Sequence, residues 1–120
     1  MKLQDILEVS TPLSNQIERM PHDQQIELNF ANASATVERK GDHLVLHFIK
    51  STQKGGGSKA LEEICQAADY LKLPIELHVH PIKSHAAKAG IKPLSKKDLR
   101  AWYVRYGFEG EFDSMRREPN

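Results

Sequence analysis

The chain has little cysteine, no excess charge of either sign and no long apolar run, and each shortage excludes a class of protein. One cysteine, Cys65, in 120 residues leaves no intrachain disulfide to form, which fits a reducing compartment. Lysine and arginine number 17 against 16 aspartate and glutamate. A protein held to nucleic acid through phosphate contacts usually carries a clear basic excess, so such a partner is not expected. No stretch approaches the roughly 20 apolar residues that cross a bilayer, so no membrane partner is expected either. Residues 1–9 include Lys2, Asp5 and Glu8 without a continuous apolar segment, which predicts no secretory leader and a cytoplasmic protein. The length fits a single domain over residues 1–120. Such a domain buries roughly two-thirds of its unfolded surface and folds without a metal or a disulfide.

What is present is patterned. Residues 1–24 predict a helical segment in two short pieces. Leu3, Ile6 and Leu7 share one face, Ser10-Thr11-Pro12 interrupt it, and Leu13, Ile17 and Met20 form a second stripe that Pro21 ends. From Gln25 the apolar period becomes two: Ile26, Leu28 and Phe30, then Ala33, Ala35 and Val37. After the turn Lys40-Gly41-Asp42, residues 43–50 read His-Leu-Val-Leu-His-Phe-Ile-Lys, a strand apolar on much of both faces. Three strands in succession predict an antiparallel meander.

Residues 51–58 read Ser-Thr-Gln-Lys-Gly-Gly-Gly-Ser. Beyond them Leu61, Ile64, Cys65, Ala68 and Leu71 recur at helical spacing. Pro74 stops that helix, and Ile75, Leu77 and Val79 alternate with Glu76, His78 and His80. Strand, helix and strand make a parallel, right-handed crossover. Residues 81–93 are irregular and lysine-bearing. The last helix opens on a capping box, Ser95 and Asp98, with Leu94 and Leu99 as its hydrophobic staple. Trp102, Tyr103 and Tyr106 continue its apolar side, and Gly107 falls where a left-handed residue ends a helix. Residues 108–116 add a final strand and 117–120 a tail. The expected fold is α/β: a mixed central sheet, an antiparallel meander followed by a parallel β-α-β crossover, with helices on both faces.

The glycines stand between a buried strand and an amphipathic helix. Glycine admits close backbone approach, and the first turn of a helix offers unpaired amides with partial positive charge. Together they suit a pyrophosphate, with Lys54 and Lys59 adding charge. The spacing meets neither the Gly-x-x-x-x-Gly-Lys-Ser/Thr phosphate loop nor the Gly-x-Gly-x-x-Gly dinucleotide turn. Without a ligand, the same residues would be a flexible connection.

Thr52-Gln53-Lys54-Gly55-Gly56-Gly57-Ser58 resembles the Gln/Arg-x-x-Gly-x-Gly/Ala signature of the GNAT superfamily of N-acetyltransferases. With Gly55 and Gly57 as the signature glycines, Thr52 stands at the Gln/Arg position. With Gln53 there, Ser58 replaces the last Gly/Ala. The first register fits the helix that follows better. Trp102-Tyr103-Val104-Arg105-Tyr106-Gly107-Phe108 is similar to the family's Tyr-x-x-x-Gly-Phe, with Tyr103 at the tyrosine. The resemblance spans residues 26–115 and implies a compact member, in which the family's usual first strand is either missing or formed by residues 2–9.

The resemblance implies transfer of an acetyl group from acetyl-CoA to an amine on a protein or a small molecule, with no metal. The pyrophosphate would lie on the amides of Lys54, Gly55, Gly56, Gly57, Ser58 and Lys59. The pantetheine arm would extend along Phe48, Ile49 and Lys50 as an added strand, a backbone amide there would polarise the thioester carbonyl, and Tyr103 would be the general acid. Histidine titrates in the useful range, and His78 is the candidate base, with Glu76 and His80 on its face and His47 on the neighbouring strand. His78, His80 and His85 lack a third metal ligand at characteristic spacing, and Cys65 on the apolar stripe lacks an activating partner. Lys83, Lys88, Lys92, Lys96, Lys97 and Arg100 read as a solvated basic face. Two other classes stay open: a non-catalytic module that binds acetyl-CoA or regulates a partner, and a nucleic-acid-binding domain using the basic segment.

Overall fold

The computed structural model describes residues 12–79, 95–110 and 113–119. The first helical stripe, the staple residue Leu94 and the lysine-bearing stretch through Lys92 lie outside them. Among these residues three helices and five strands follow in order: α1 (Pro12–Glu18), β1 (Gln25–Phe30), β2 (Ala33–Arg39), β3 (Leu44–Ser51), α2 (Gly56–Leu71), β4 (Ile75–His78), α3 (Lys96–Val104) and β5 (Ser114–Arg117). The strands form one sheet in the order β1-β2-β3-β4-β5. β1, β2 and β3 pair antiparallel, β3 and β4 parallel, β4 and β5 antiparallel. The expected mixed sheet, meander and crossover are therefore present.

Alternation decides which face is buried. Leu28, Ala35, Val37, Leu46, Leu77 and Met115 point to one face and are buried. Their opposite numbers Thr36, Glu38, Val45 and Glu76 are only partly covered. α2 packs on the buried face against β2 and β3, and α1 packs on α2. Trp102 and Tyr103 of α3 join the same apolar cluster as Ile17, Leu61 and Ile64. Leu61, Ile64, Leu44 and Ile75 are wholly excluded from solvent, and each such burial contributes about 2 kcal/mol relative to exposure. The described helices thus cover one face, where helices on both faces were expected. The other face carries mostly polar and charged side chains, which do not call for an apolar cover.

β3 is where the two-period pattern breaks. Thr36 pairs with Phe48 but the next residue of β2, Val37, pairs with Leu46, so His47 is an extra residue in β3. Such a bulge shifts the alternation by one. Leu44 and Leu46 face the core before it. Ile49 and Ser51, opposite Ala35 and Ala33, face the core after it, and Phe48 turns outward, 37% exposed. This is why residues 43–50 looked apolar on both faces.

The helix ends follow local chemistry. Pro12 opens α1 at the position where a missing N–H costs nothing, and Arg39 of β2 donates to the carbonyls of Ile17 (3.1 Å) and Glu18 (3.0 Å) at its other end. Ser95 accepts from the Asp98 amide at 3.1 Å to cap α3. Gly107, at φ +94°, ends it with Phe108 N–H donating to Tyr103 O and Gly107 N–H to Val104 O, the paired bonds of a Schellman turn. Lys72 closes α2 in the left-handed region without being glycine (φ 59°). Arg117, read from sequence as the first tail residue, is instead the last residue of β5 and 6% exposed. Its guanidinium grips both Asp69 oxygens (2.8 and 3.0 Å) and donates to the Tyr106 carbonyl at 2.7 Å.

Candidate functional site

β3 and β4 lie side by side for only three residue pairs, Leu44 with Ile75, Val45 with Glu76 and Leu46 with Leu77. Beyond the His47 bulge, residues 48–51 of β3 still pair with β2, but among the described residues no strand pairs with their other edge. Alternate N–H and C=O groups of this segment face that gap. The gap begins at the His47 bulge and ends at the loop leading into α2. It lies at the carboxyl ends of two parallel strands, the usual position of a ligand crevice in an open α/β sheet.

The three glycines of the loop have different reasons to be glycine. Gly55 takes φ +83° as the residue before the helix, and a Cβ there would meet nothing within 4 Å. Gly56 is buried, and its Cβ would lie 2.0 Å from the Asn32 carbonyl oxygen in the β1–β2 turn. Gly57 is also buried, and its Cβ would lie 2.5 Å from Ser51 Oγ. Three of the expected amides are used inside the protein: Gly56 N–H donates to Gln53 O at 3.0 Å, Gly57 N–H to Ser51 Oγ at 2.7 Å and Lys59 N–H to Gly55 O at 3.3 Å. The Ser58 amide has no partner among the described residues. Lys54, Gly55 and Lys59 are exposed and Ser58 is half-buried. Close approach at Gly56 and Gly57 is thus first to the protein's own β1–β2 turn and β3 end, with Gly55 and Ser58 as the open positions.

The two motifs meet in space. Trp102 Nε1 donates to Ser58 Oγ at 2.9 Å, and the Tyr106 hydroxyl donates to the Ser58 carbonyl at 3.4 Å. The outer edge of the Trp102 ring also reaches the Gly57 position. α3 therefore stacks its aromatic face on the first turn of α2. Trp102 and Ser51 are the residues that sequence reasoning missed. The signal was available for Trp102, an indole one place from the motif tyrosine, because a buried indole N–H needs an acceptor.

Tyr103 lies deeper. It is 4% exposed, with its ring 5.0 Å from Trp102 and 5.5 Å edge-on from Phe108. Burial pushes its phenol well above the ordinary tyrosine range, so it keeps its proton at any physiological pH. Phe48 and Lys50 stand on the outer face, the ammonium 5.7 Å from the ring centre. Ile49 packs against the core.

The histidines separate. His78, exposed at the end of β4, lies 3.2 Å from Ser114 Oγ through Nδ1. His47 Nε2 lies 2.9 Å from Glu38 Oε1, and Lys40 Nζ holds the other oxygen of Glu38 at 2.6 Å. Hydrogen bonds from Lys40 and then His47 hold the Glu38 carboxyl below the usual carboxylate range. His80 and His85 lie outside the described residues. Among those described, no three His, Cys, Asp or Glu side chains gather as a metal site, and no helix is long and apolar enough to cross a membrane. Cys65 is buried, and burial raises its thiol to about 11, so it is no nucleophile at neutral pH. Of the basic segment, Lys96 pairs with Asp113 at 2.6 Å and Arg100 donates to the Gly110 carbonyl.

No protein-family model and no curated protein matches the chain. Among solved structures, it is similar to the anti-CRISPR protein AcrVA5. The TM-score is 0.62 at 20% identity, over 77% of this chain and 96% of that one. At that identity the likeness shows a shared fold.

Proposed function

We propose that the protein binds acetyl-CoA in the gap beside β3 and transfers the acetyl group to an amine. The observation that carries this reading is the one-sided strand edge over residues 48–51, which runs from a bulge directly into the N-terminal turn of α2. An extended amide-bearing arm has donors and acceptors to match along such an edge. A pyrophosphate at its end would meet the open Gly55 and Ser58 positions, the start of a helix and the exposed Lys54 and Lys59. An edge amide near the bulge would polarise the thioester carbonyl. Tyr103, held protonated, would hydrogen-bond the departing sulfur and then protonate it, in surroundings where burial also makes a thiolate more basic.

Calorimetry with acetyl-CoA, followed by thiol release with mixed protein and small-amine acceptors, tests the reading. Absence of binding at near-millimolar coenzyme rejects it. Gly55→Asp probes the loop without disturbing the packing, because its side chain enters open space and aspartate tolerates the left-handed region. It should weaken coenzyme binding roughly tenfold through charge, a loss of about 1.4 kcal/mol. Tyr103→Phe should lower turnover by roughly a hundredfold with coenzyme affinity unchanged. An unchanged rate removes Tyr103 from the chemistry.

The burial of Tyr103 against Trp102 and Phe108, and the use of the Gly57 amide by Ser51, favour a second reading. In it the fold binds coenzyme without turnover and serves a partner. Binding without thiol release for any amine would select it.

A further inference from the structure

The Glu38–His47 pair lies beside the gap and has no part in the coenzyme contacts above. His47 is the one extra residue of the β3 bulge, at the point where the strand loses its β4 neighbour. Its ring stands on the polar outer face and is 29% exposed, while Glu38 is 12% exposed. Both Glu38 oxygens are engaged, Oε1 by His47 Nε2 and Oε2 by Lys40 Nζ, and Lys40 is held in turn by Asp23 at 3.2 Å. Glu38 is ionised at neutral pH, so it can only accept hydrogen bonds. The proton of a neutral His47 must then sit on Nε2, and the lone pair on Nδ1. Nδ1 has no partner among the described residues. A carboxylate that fixes the tautomer and ring angle of a histidine, leaving the other nitrogen open, is the arrangement of a histidine prepared to take a proton.

Resting on the acyl-transfer reading, we infer that His47 is the general base that deprotonates the acceptor ammonium group, with Glu38 as its positioning residue. Converting a primary ammonium and a thioester to an amide and a thiol releases one proton. The first ammonium proton passes to His47 Nδ1 and from there to water. The freed amine forms the C–N bond as the C–S bond breaks, and the second nitrogen proton balances the one gained by sulfur. The other charged groups nearby are Lys40 and Asp23 on the β2 side. Further along the outer face are His43, Glu76 and Arg116, which form their own chain across β4 and β5.

The test compares His47→Gln and Glu38→Gln with the unaltered protein in coenzyme binding, steady-state rate and the pH profile of kcat. His47→Gln should keep its acetyl-CoA affinity, lose roughly a hundredfold in kcat and lose the acidic limb of the profile. Glu38→Gln should lose roughly tenfold in kcat, because the ring loses the carboxylate that fixes its tautomer and angle. Added imidazole should restore part of the rate to His47→Ala. A merely structural pair would give neither the altered limb nor the rescue. If the unaltered protein turns over and His47→Gln matches it in rate and profile, the base assignment is overturned and acyl transfer stands. If the unaltered protein binds no acetyl-CoA, both fall together. Ring-nitrogen NMR decides the orientation without activity: an Nδ1–H tautomer for neutral His47 overturns the proposal whatever the kinetics show.

Discussion

The two ends of α2 are built on opposite principles. At its C-terminal end the polar groups are closed by the fold. Lys72 N–H reaches the Ala68 and Asp69 carbonyls, Leu73 N–H returns to Ala68, and Arg117 grips the Asp69 carboxylate. At its N-terminal end Gly56 and Gly57 are wedged against Asn32 and Ser51, while Gly55, Ser58 and the adjoining strand edge keep donors available. One helix therefore has an end dedicated to stability and an end where stability and binding meet. Substitutions at the first should change folding alone, and substitutions at the second should reach both.

Arg117→Ala should break this contrast most severely on the stability side. It takes the paired guanidinium from a largely covered Asp69 carboxylate and frees the Tyr106 carbonyl, and it should cost about 3 kcal/mol in urea unfolding with coenzyme affinity unchanged. Arg117→Lys should recover less than half of that, since one ammonium cannot make the paired bonds. Gly56→Ala should come next, at about 2 kcal/mol, because the Asn32 carbonyl in its path is backbone and already accepts from Thr52 N–H. Coenzyme binding should weaken with it as the loop shifts. Gly41→Ala, with open space around the position, is the matched control and should stay within about 0.5 kcal/mol. Lys72→Gly should be smaller than either loss and of opposite sign, a gain of about 1 kcal/mol from relieving a left-handed side-chain residue. A rise in the urea midpoint at unchanged slope would be its signature.

The elements were legible in the sequence wherever one period ran uninterrupted. The apolar stripe through Leu61, Ile64, Cys65 and Ala68 gave α2, and Ser95 and Gly107 marked the ends of the last helix because capping is local chemistry. The antiparallel meander and the parallel crossover followed from the order of those periods. What could not be read depended on partners far along the chain. In sequence Arg117 reads as a tail because Asp69 lies 48 residues away. Gly56 reads as room for a ligand because Asn32, which fills that room, belongs to a turn two strands earlier. The Trp102–Ser58 bond joins residues 44 apart. The bulge was hidden for another reason. A shifted alternation and a strand buried on both faces produce the same run of apolar letters, and only the register with β2 separates them.

That extra residue at His47 also sets how this part of the chain could change in length. Deleting that one residue would leave an unbroken ladder with the downstream pairing in place, since Phe48 would still oppose Thr36 and Ile49 would still oppose Ala35. Deleting Lys50 instead would exchange the faces of the strand end and turn Ser51 away from the Gly57 amide. The strand can therefore shorten by one residue at the bulge, and nowhere between the bulge and α2 without uncoupling the strand end from the helix.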